Sequence, residues 1–467
     1  MVSADRGRTP LADVDSAWLR MDDPTNLMVV TGVMITDAPL AFEDIRDVVV
    51  NRLLGFRRFR QRVVDDVVIG AAHWEDDERF SLDYHLVRAT LPENANEVAL
   101  QRFISELMSQ PLDPKRPLWQ FHFVPHFRGG SALVTRIHHC IGDGLALIYV
   151  MLSLADDGPG AREAPPGDHD EGEGGWEAVA RAAAEAIGAA MQGPAILLRE
   201  VNTYLADPAR LSETAATITS SVGALGRLLL LPPDPPTLFK GPLVPEKRVA
   251  WSAAVPVATL KQIGRATGST INDVLMASLA GALRRYLLGR GSEVPADLDV
   301  RGVVPVNLRA PEDAHQLGNR FGLVFLALPL GIDDPLDRIF EVRRRMAALK
   351  QSPEALVAFQ LLRNLGLVPR QLFDVAVTLF GMKATAVVTN VVGPRVPIRF
   401  IGREMRQAMF WVPSAGRLGL GVSLLSYAGR VWLGVQADAG LVPDPDTLMT
   451  GFADEIQSLL DLERAVH

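Results

Sequence analysis

Twenty residues, DDGPGAREAPPGDHDEGEGG at 156–175, constrain the fold more than any other stretch. Glycine, proline and acidic residues crowd out apolar ones there, no periodicity survives, and an exposed loop follows. On either side the chain alternates short β-branched and aromatic runs with stretches of helical spacing. Before the break, Leu27 to Ile35, Gln120 to Val124 and Ala132 to His138 read as strands; Ala41 to Leu54, Val98 to Met108 and Leu145 to Leu154 read as helices. After it comes an Ala-rich helical region, Trp176 to Leu205, and a proline-rich stretch ending in LLLLPPDPP. From about Val249 the mixed pattern resumes: strand WSAAVPV, helix INDVLMASLAGALRRYLL, strand LDVRGVVPVN, then strands around AVVTNVVG, LGVSLLSY and VWLGVQA. The reading is α/β with mixed sheets, divided into 1–155, a loop and helical crossover at 156–245, and 246–467. A chain of 467 residues exceeds what one core normally supports, which agrees with two domains.

A net charge of −8 leaves no basic footprint for a nucleic-acid backbone. Cys140 is the only cysteine and has no disulfide partner in the chain, and the charged opening MVSADRGRTPLADVDSAW lacks the apolar region of a signal peptide. A reducing, cytoplasmic setting is the expectation. No charge-free apolar run reaches the eighteen or more residues of a spanning helix, so membrane contact is expected to be peripheral. GxSxG, Walker A, GxGxxG and CxxC motifs are all missing from the sequence.

The densest chemistry lies in RIHHCIGDG, 136–144, at a strand-to-helix corner. Successive side chains of an extended segment point to opposite faces, so one of His138 and His139 is the worker and the other scaffold. A metal site would draw on His122 and His126, but strand alternation and Pro125 in FHFVPHF explain those without one. A Cys140 nucleophile would have His139 pointing away from it, and a small packed thiol is the plainer reading. A general base fits better, because a neutral imidazole can take a proton from a hydroxyl near pH 7. Asp143 would then hold the turn or pair with an arginine, with Gly142 and Gly144 permitting the tight backbone. From these residues alone, structural turn and catalytic corner stay equally open.

The surrounding blocks add a resemblance. PLDPKRPLWQFHFV before the histidines, LADVDSAWLRMDDPTNLM near the start, PTLFKGPL, INDVLMASLAGALRRYL, VVPVNLR, GNRFG, TNVVGP and SLLSYAGRVWLGVQAD resemble, in order, the bacterial wax ester synthase/diacylglycerol acyltransferase family. The histidine motif by itself resembles the wider HHxxxDG acyltransferase superfamily. The resemblance implies two chloramphenicol-acetyltransferase-like domains, a helical crossover and a tunnel between them for acyl-CoA and an acyl acceptor. It implies that His139 deprotonates the acceptor hydroxyl for direct attack on the thioester, that His138 and Asp143 organise the site, and that no cofactor or metal is needed beyond acyl-CoA as co-substrate. Arg309 is a candidate partner for Asp143. Pro117, Leu118 and Trp119 match the PLW block, for which packing is favoured over substrate contact. Asn272 and Asp273 match an Asn-Asp motif, yet they follow Ser269-Thr270 at a helix start, where capping explains them equally well. Gly144 completes the histidine motif. Asn390, Gly393 and Pro394 resemble a segment beside the tunnel, with a strand-ending turn as the alternative.

Arg57 to Arg62 and Arg343 to Arg345 could meet CoA phosphates, though solvated faces are the commoner explanation. This chain departs from the family in having Cys140, Ile141 and Gly142 between the histidines and Asp143, and in its long acidic insert. The expected activity is O-acylation of diacylglycerol, with long-chain alcohols as further acceptors, at a membrane or lipid-inclusion surface. The rivals are a carrier-protein-dependent acyltransferase with a polyketide or peptide acceptor, and a catalytically vestigial lipid-inclusion protein.

Overall fold

The computed structural model describes residues 8–65, 72–156, 231–308, 317–350, 352, 358 and 370–466. The predicted helix at Trp176 to Leu205 and the acidic insert beyond residue 156 lie outside them, as does Arg309.

In the first half the elements that frame the site are α1 (Asp13–Met21), β1 (Val29–Thr36), β2 (Leu86–Arg88), β3 (Trp119–Phe127), β4 (Gly130–His138) and α2 (Gly144–Ser153). In the second they are β5 (Lys247–Trp251), α3 (Ile271–Gly289), β6 (Asp299–Asn307), β7 (Phe321–Pro329), α4 (Arg370–Met382), β8 (Ala386–Val392), β9 (Arg399–Phe400), β10 (Arg403–Trp411), β11 (Leu420–Tyr427), β12 (Arg430–Asp438) and α5 (Asp446–Val466).

Two large mixed sheets result. The first runs β9-β10-β1-β4-β3-β2, and the second β7-β6-β8-β11-β12-β5 with Val255–Pro256 added against β12. Strand β4 lies between β1 and β3, antiparallel to both. All nine of its residues are buried, which fits the unbroken apolar run Ala132-Leu133-Val134 at its centre. In the second sheet β8 runs parallel to both β6 and β11.

Within the described residues the strands and helices read from sequence are found within a few residues, Ala41 to Leu54 on the helix Phe42–Asn51 and Val98 to Met108 on the helix Glu97–Met108, except the stretch WSAAVPV. It divides into the end of β5 and the short strand at Val255, with Ser252 between them bonding to Leu433 in both directions. One feature has no local signal: β10, from the second half of the chain, pairs with β1 from Thr36↔Met405 to Thr31↔Trp411 and so completes the sheet that carries the histidines. Helix α3 is the centre of the second core. Its mostly apolar surface is buried against α5 and the second sheet, as expected for a helix that is hydrophobic nearly all round. The proline-rich stretch is tied down by Asp234, whose carboxylate accepts from the Arg301 amide at 2.9 Å and pairs with the Arg301 guanidinium at 3.1 Å.

Candidate active site

His139 follows the last residue of β4, and its amide donates at 2.8 Å to the carbonyl of Met28, the residue just before β1, which fixes the backbone on which the ring is mounted. The indole of Trp18 stacks on the imidazole, centroids 4.2 Å apart and planes 22° apart, and Phe321 approaches at 5.8 Å. Burial between these rings pushes the His139 pKa down to about 4, against a smaller opposing pull from the Asp143 charge. The imidazole is therefore neutral near pH 7 and able to accept a proton. His139 also lines a cavity of about 330 Å³.

His138 has a different environment. Its amide donates to Leu118 O at 2.9 Å and its Nδ1 accepts from the Cys140 amide at 3.1 Å. That bond leaves Nε2 to carry the proton of the neutral ring. Nε2 faces Asp22 Oδ1 at 3.7 Å, and His138 does not line the cavity. Cys140 is fully buried, and burial raises its thiol pKa well above the ordinary value, the opposite of what a nucleophilic thiolate needs.

Asp143 caps helix α2: Oδ1 accepts from the Ala146 amide at 2.9 Å. Its Oδ2 accepts from the Arg320 amide at 2.9 Å, and the Asp143 amide donates to Gly318 O at 3.2 Å. The motif corner is thus clasped by the GNRFG segment of the other half. The expected Arg309 pairing lies outside the described residues; the described partner in this segment is a main-chain N–H of Arg320. Gly142 allows the clasp. A Cβ there would stand 3.2 Å from the Ala146 Cβ and 3.7 Å from Gly318 N. Neither Gly142 nor Gly144 has a positive φ, so space rather than left-handed backbone is what they provide.

Three residues that sequence reasoning did not single out complete the site. Asp15 and Trp18 lie three apart on α1, hence on one face. The buried Asp15 Oδ1 accepts from both the amide and the Nδ2 of Asn319, at 3.1 and 2.8 Å. Asn319 Nδ2 also donates to His139 O at 2.8 Å. Helix α1 therefore holds His139 twice, at the ring through Trp18 and at the carbonyl through Asp15 and Asn319. Burial raises the Asp15 carboxyl to about 6 despite those bonds. The i, i+3 spacing in DVDSAW was the available signal, but Asn319 lies 304 residues away.

The remaining sequence candidates separate into two groups. Asn390 lines the cavity and its Nδ2 donates to Asn272 Oδ1, which brings the TNVVGP and Asn-Asp blocks together. Asp273 is occupied locally in a capping box: its Oδ2 accepts from the Thr270 amide at 2.8 Å while Thr270 Oγ1 accepts from the Asp273 amide at 3.2 Å. Trp119 is fully buried, donates Nε1–H to Phe59 O at 2.8 Å and stacks on His85 at 4.5 Å. With Leu118 O receiving the His138 amide, the PLW block packs behind the histidine strand, and Pro117, Leu118 and Trp119 are not part of the cavity wall. The arginine-rich stretches have intramolecular partners. Arg57 meets Asp76, Arg58 covers Trp74, Arg62 meets Glu75, and Arg344 and Arg345 share Glu341. Arg343 donates to the carbonyls of Thr267 and Gly268. His122 lies 3.2 Å from Gln120 Oε1. Among the described residues, no three His, Cys, Asp or Glu side chains are grouped to hold a metal ion.

Among the described residues the cavity wall is mostly apolar, with His139, Asp143, Asn307, Thr389 and Asn390 as its polar members. Such a wall suits a hydrocarbon-rich ligand with one reacting polar group.

Known proteins resemble this chain over most of its length. The wax ester synthase/diacylglycerol acyltransferase catalytic domain matches residues 11–275, and the C-terminal domain of the same family matches 317–460. A probable diacylglycerol O-acyltransferase of Mycobacterium tuberculosis is 28% identical, covering 97% of this chain and 96% of its own length. Among solved structures, a wax ester synthase/diacylglycerol acyltransferase from Marinobacter aquaeolei aligns with a TM-score of 0.67 at 20% identity, covering 97% of this chain and 99% of that one. The first condensation domain of the calcium-dependent antibiotic synthetase gives 0.60 at 17% identity, covering 98% and 96%. The latter two show the shared two-domain architecture.

Proposed function

Because the chain belongs to the wax ester synthase/diacylglycerol acyltransferase family, we propose that it is an acyl-CoA-dependent O-acyltransferase that converts diacylglycerol to triacylglycerol, with long-chain alcohols as further acceptors. The observation that carries this reading is a neutral, stacked histidine in the wall of a mostly apolar cavity.

In this mechanism His139 takes the proton of the acceptor hydroxyl as its oxygen attacks the thioester carbonyl carbon. The ester C–O bond forms, the C–S bond breaks, and the departing CoA thiolate recovers the proton from the imidazolium. No acyl-enzyme intervenes, which fits an inert Cys140. Asp143 acts by holding the corner and by placing a negative charge near the transient imidazolium, a charge worth more in an apolar surround than in water. His138 is scaffold, and Asn272 supports Asn390 across the cavity. Acyl-CoA is co-substrate, and no resident cofactor or metal enters the mechanism. The catalytic motif belongs to residues 1–155 and the facing wall to 246–467, joined through 156–245.

We place the enzyme at a membrane or lipid-inclusion surface. Among the described residues no helix is long and apolar enough to cross a membrane. Val392, 63% exposed, lies in the cavity wall, and Val396, 68% exposed, follows it with exposed Arg395 and Arg399. Interleaved apolar and basic side chains at a cavity rim suit an anionic lipid interface.

The test is purified protein with one acyl-CoA, a panel of diacylglycerol and alcohol acceptors, and product analysis, repeated with His139→Ala. Ester from the parent and at least a hundredfold less from a folded variant is the expected result. Near-parental turnover by that variant would remove His139 from the chemistry.

A further inference from the structure

A second cavity, of about 140 Å³, lies on the other side of Gly144. It is lined by β1, β4 and β10 of the first sheet, by helix α2 and by residues of β8 and β11, and the two cavities share Gly144, Val391 and Phe410 as wall residues. A Cβ at Gly144 would meet nothing within 4 Å, so the glycine leaves open space at the boundary between them.

The two walls differ in chemistry. The first contains the imidazole, a carboxylate, two amides and a hydroxyl. Among the described residues the second contains no charged residue, and Thr135 and Tyr427 are the only polar ones in its wall. The Tyr427 hydroxyl is already engaged: Oη accepts from the Ile398 amide and donates its proton to Met405 O, both at 2.8 Å. A ligand with hydroxyls, phosphates or a branched glycerol backbone finds almost no partner there, whereas a bare hydrocarbon chain loses nothing by entering.

Resting on the acyltransferase reading, we propose that this second cavity takes the distal hydrocarbon of the acyl donor, and that its depth sets the preferred acyl-chain length. The acceptor needs the base and the polar wall, and so belongs to the first cavity. Beyond the thioester carbonyl a saturated acyl chain has no polar atom, and so belongs to the second. Each methylene moved from water into such a wall multiplies binding by about fourfold. Filling or enlarging the cavity by a few carbons therefore changes donor selectivity by an order of magnitude or more.

Ala408 of β10 and Ile148 and Met151 of α2 line the second cavity and not the first. The experiment measures kcat/KM for straight-chain acyl-CoA donors from six to eighteen carbons with dioctanoylglycerol as fixed acceptor. It uses the full chain and its Ala408→Leu, Ile148→Phe and Met151→Ala variants. The filling variants should lower the hexadecanoyl-to-octanoyl ratio at least tenfold, and Met151→Ala should move the optimum to longer chains. If packing defeats the filling variants, the enlarging one still decides. Parental donor profiles in folded variants would overturn the proposal. So would a shift in acceptor-chain preference, read with octanoyl-CoA fixed, while the donor profile stays put. A wild-type protein that forms no ester from any acyl-CoA would instead overturn the acyltransferase reading, and this assignment with it.

Discussion

Replacing Asp143 separates the two tasks its carboxylate performs. One oxygen caps α2 through Ala146 N and the other receives the Arg320 amide, both at 2.9 Å, with the side chain 4% exposed. Loss of an N-cap costs about 0.5–2 kcal/mol, and a hydrogen bond to a charged group is worth about 1.5–3 kcal/mol. Asp143→Ala removes both and leaves two buried N–H groups to find new partners, so a loss of about 2–5 kcal/mol is expected. For folding units of roughly 200 residues, 3 kcal/mol corresponds to a fall of about 6–12 °C in melting temperature. Asp143→Asn keeps an oxygen for Ala146 but turns an amide N–H toward the Arg320 N–H, and should melt between the parent and the alanine variant. Activity should order differently. Both variants lose the negative charge that favours a protonated His139, so both should fall in kcat by comparable factors although their stabilities differ. Calorimetry and initial rates of ester formation measure the two orders. Variants that melt together, within a degree or two of the parent, would show that the carboxylate does not tie the corner to the GNRFG segment.

The other predictions concern positioning and titration. Asp15→Ala releases Asn319 from α1 and loosens the His139 carbonyl; kcat should fall about tenfold or more with KM little changed, Asp15→Asn should recover part of it, and an unaltered kcat would remove α1 from the apparatus. With the His139 pKa near 4, the ring protonates only as pH falls through about 4, so the acid limb of kcat/KM should lie there instead of near 6.5; a limb at 6.5 in folded enzyme would contradict the burial seen here. Stability should also respond to pH. Burial lowers His85, His122 and His139 alike to about 4, so between 6.5 and 4 the unfolded chain binds protons that the native state refuses. Their contribution is complete above about 6.5 and is lost as pH falls, by up to roughly 3 kcal/mol per histidine. Asp15, raised to about 6, works in the opposite direction, binding its proton more readily in the native state. A urea midpoint that is no lower at pH 5 than at pH 7 would refute the net sign.

The sequence made local matters visible and concealed the tertiary ones, for a physical reason that particular residues illustrate. Periodicity depends on neighbours along the chain. It therefore finds β4, buried along its whole length, α3, buried nearly all round, and the apolar run of α2. The corner at His138–Gly144 was legible because cap, turn and histidines are contiguous. By contrast, nothing in REMRQAMFW, the sequence of β10, states that its partner is β1, more than 360 residues earlier. The clasp on Asp143 has the same character. The Asp143 Oδ2 accepts from the Arg320 backbone amide, a group that every residue but proline has and no sequence pattern marks. Asn319 is the sharpest case, since one side-chain amide joins Asp15 to the carbonyl of His139. Both of its partners lie in the first half of the chain, and so does Asp143, which the neighbouring Arg320 amide holds. The catalytic geometry of the motif thus depends on a segment of the second half, and alteration of GNRFG should disable His139 without touching it.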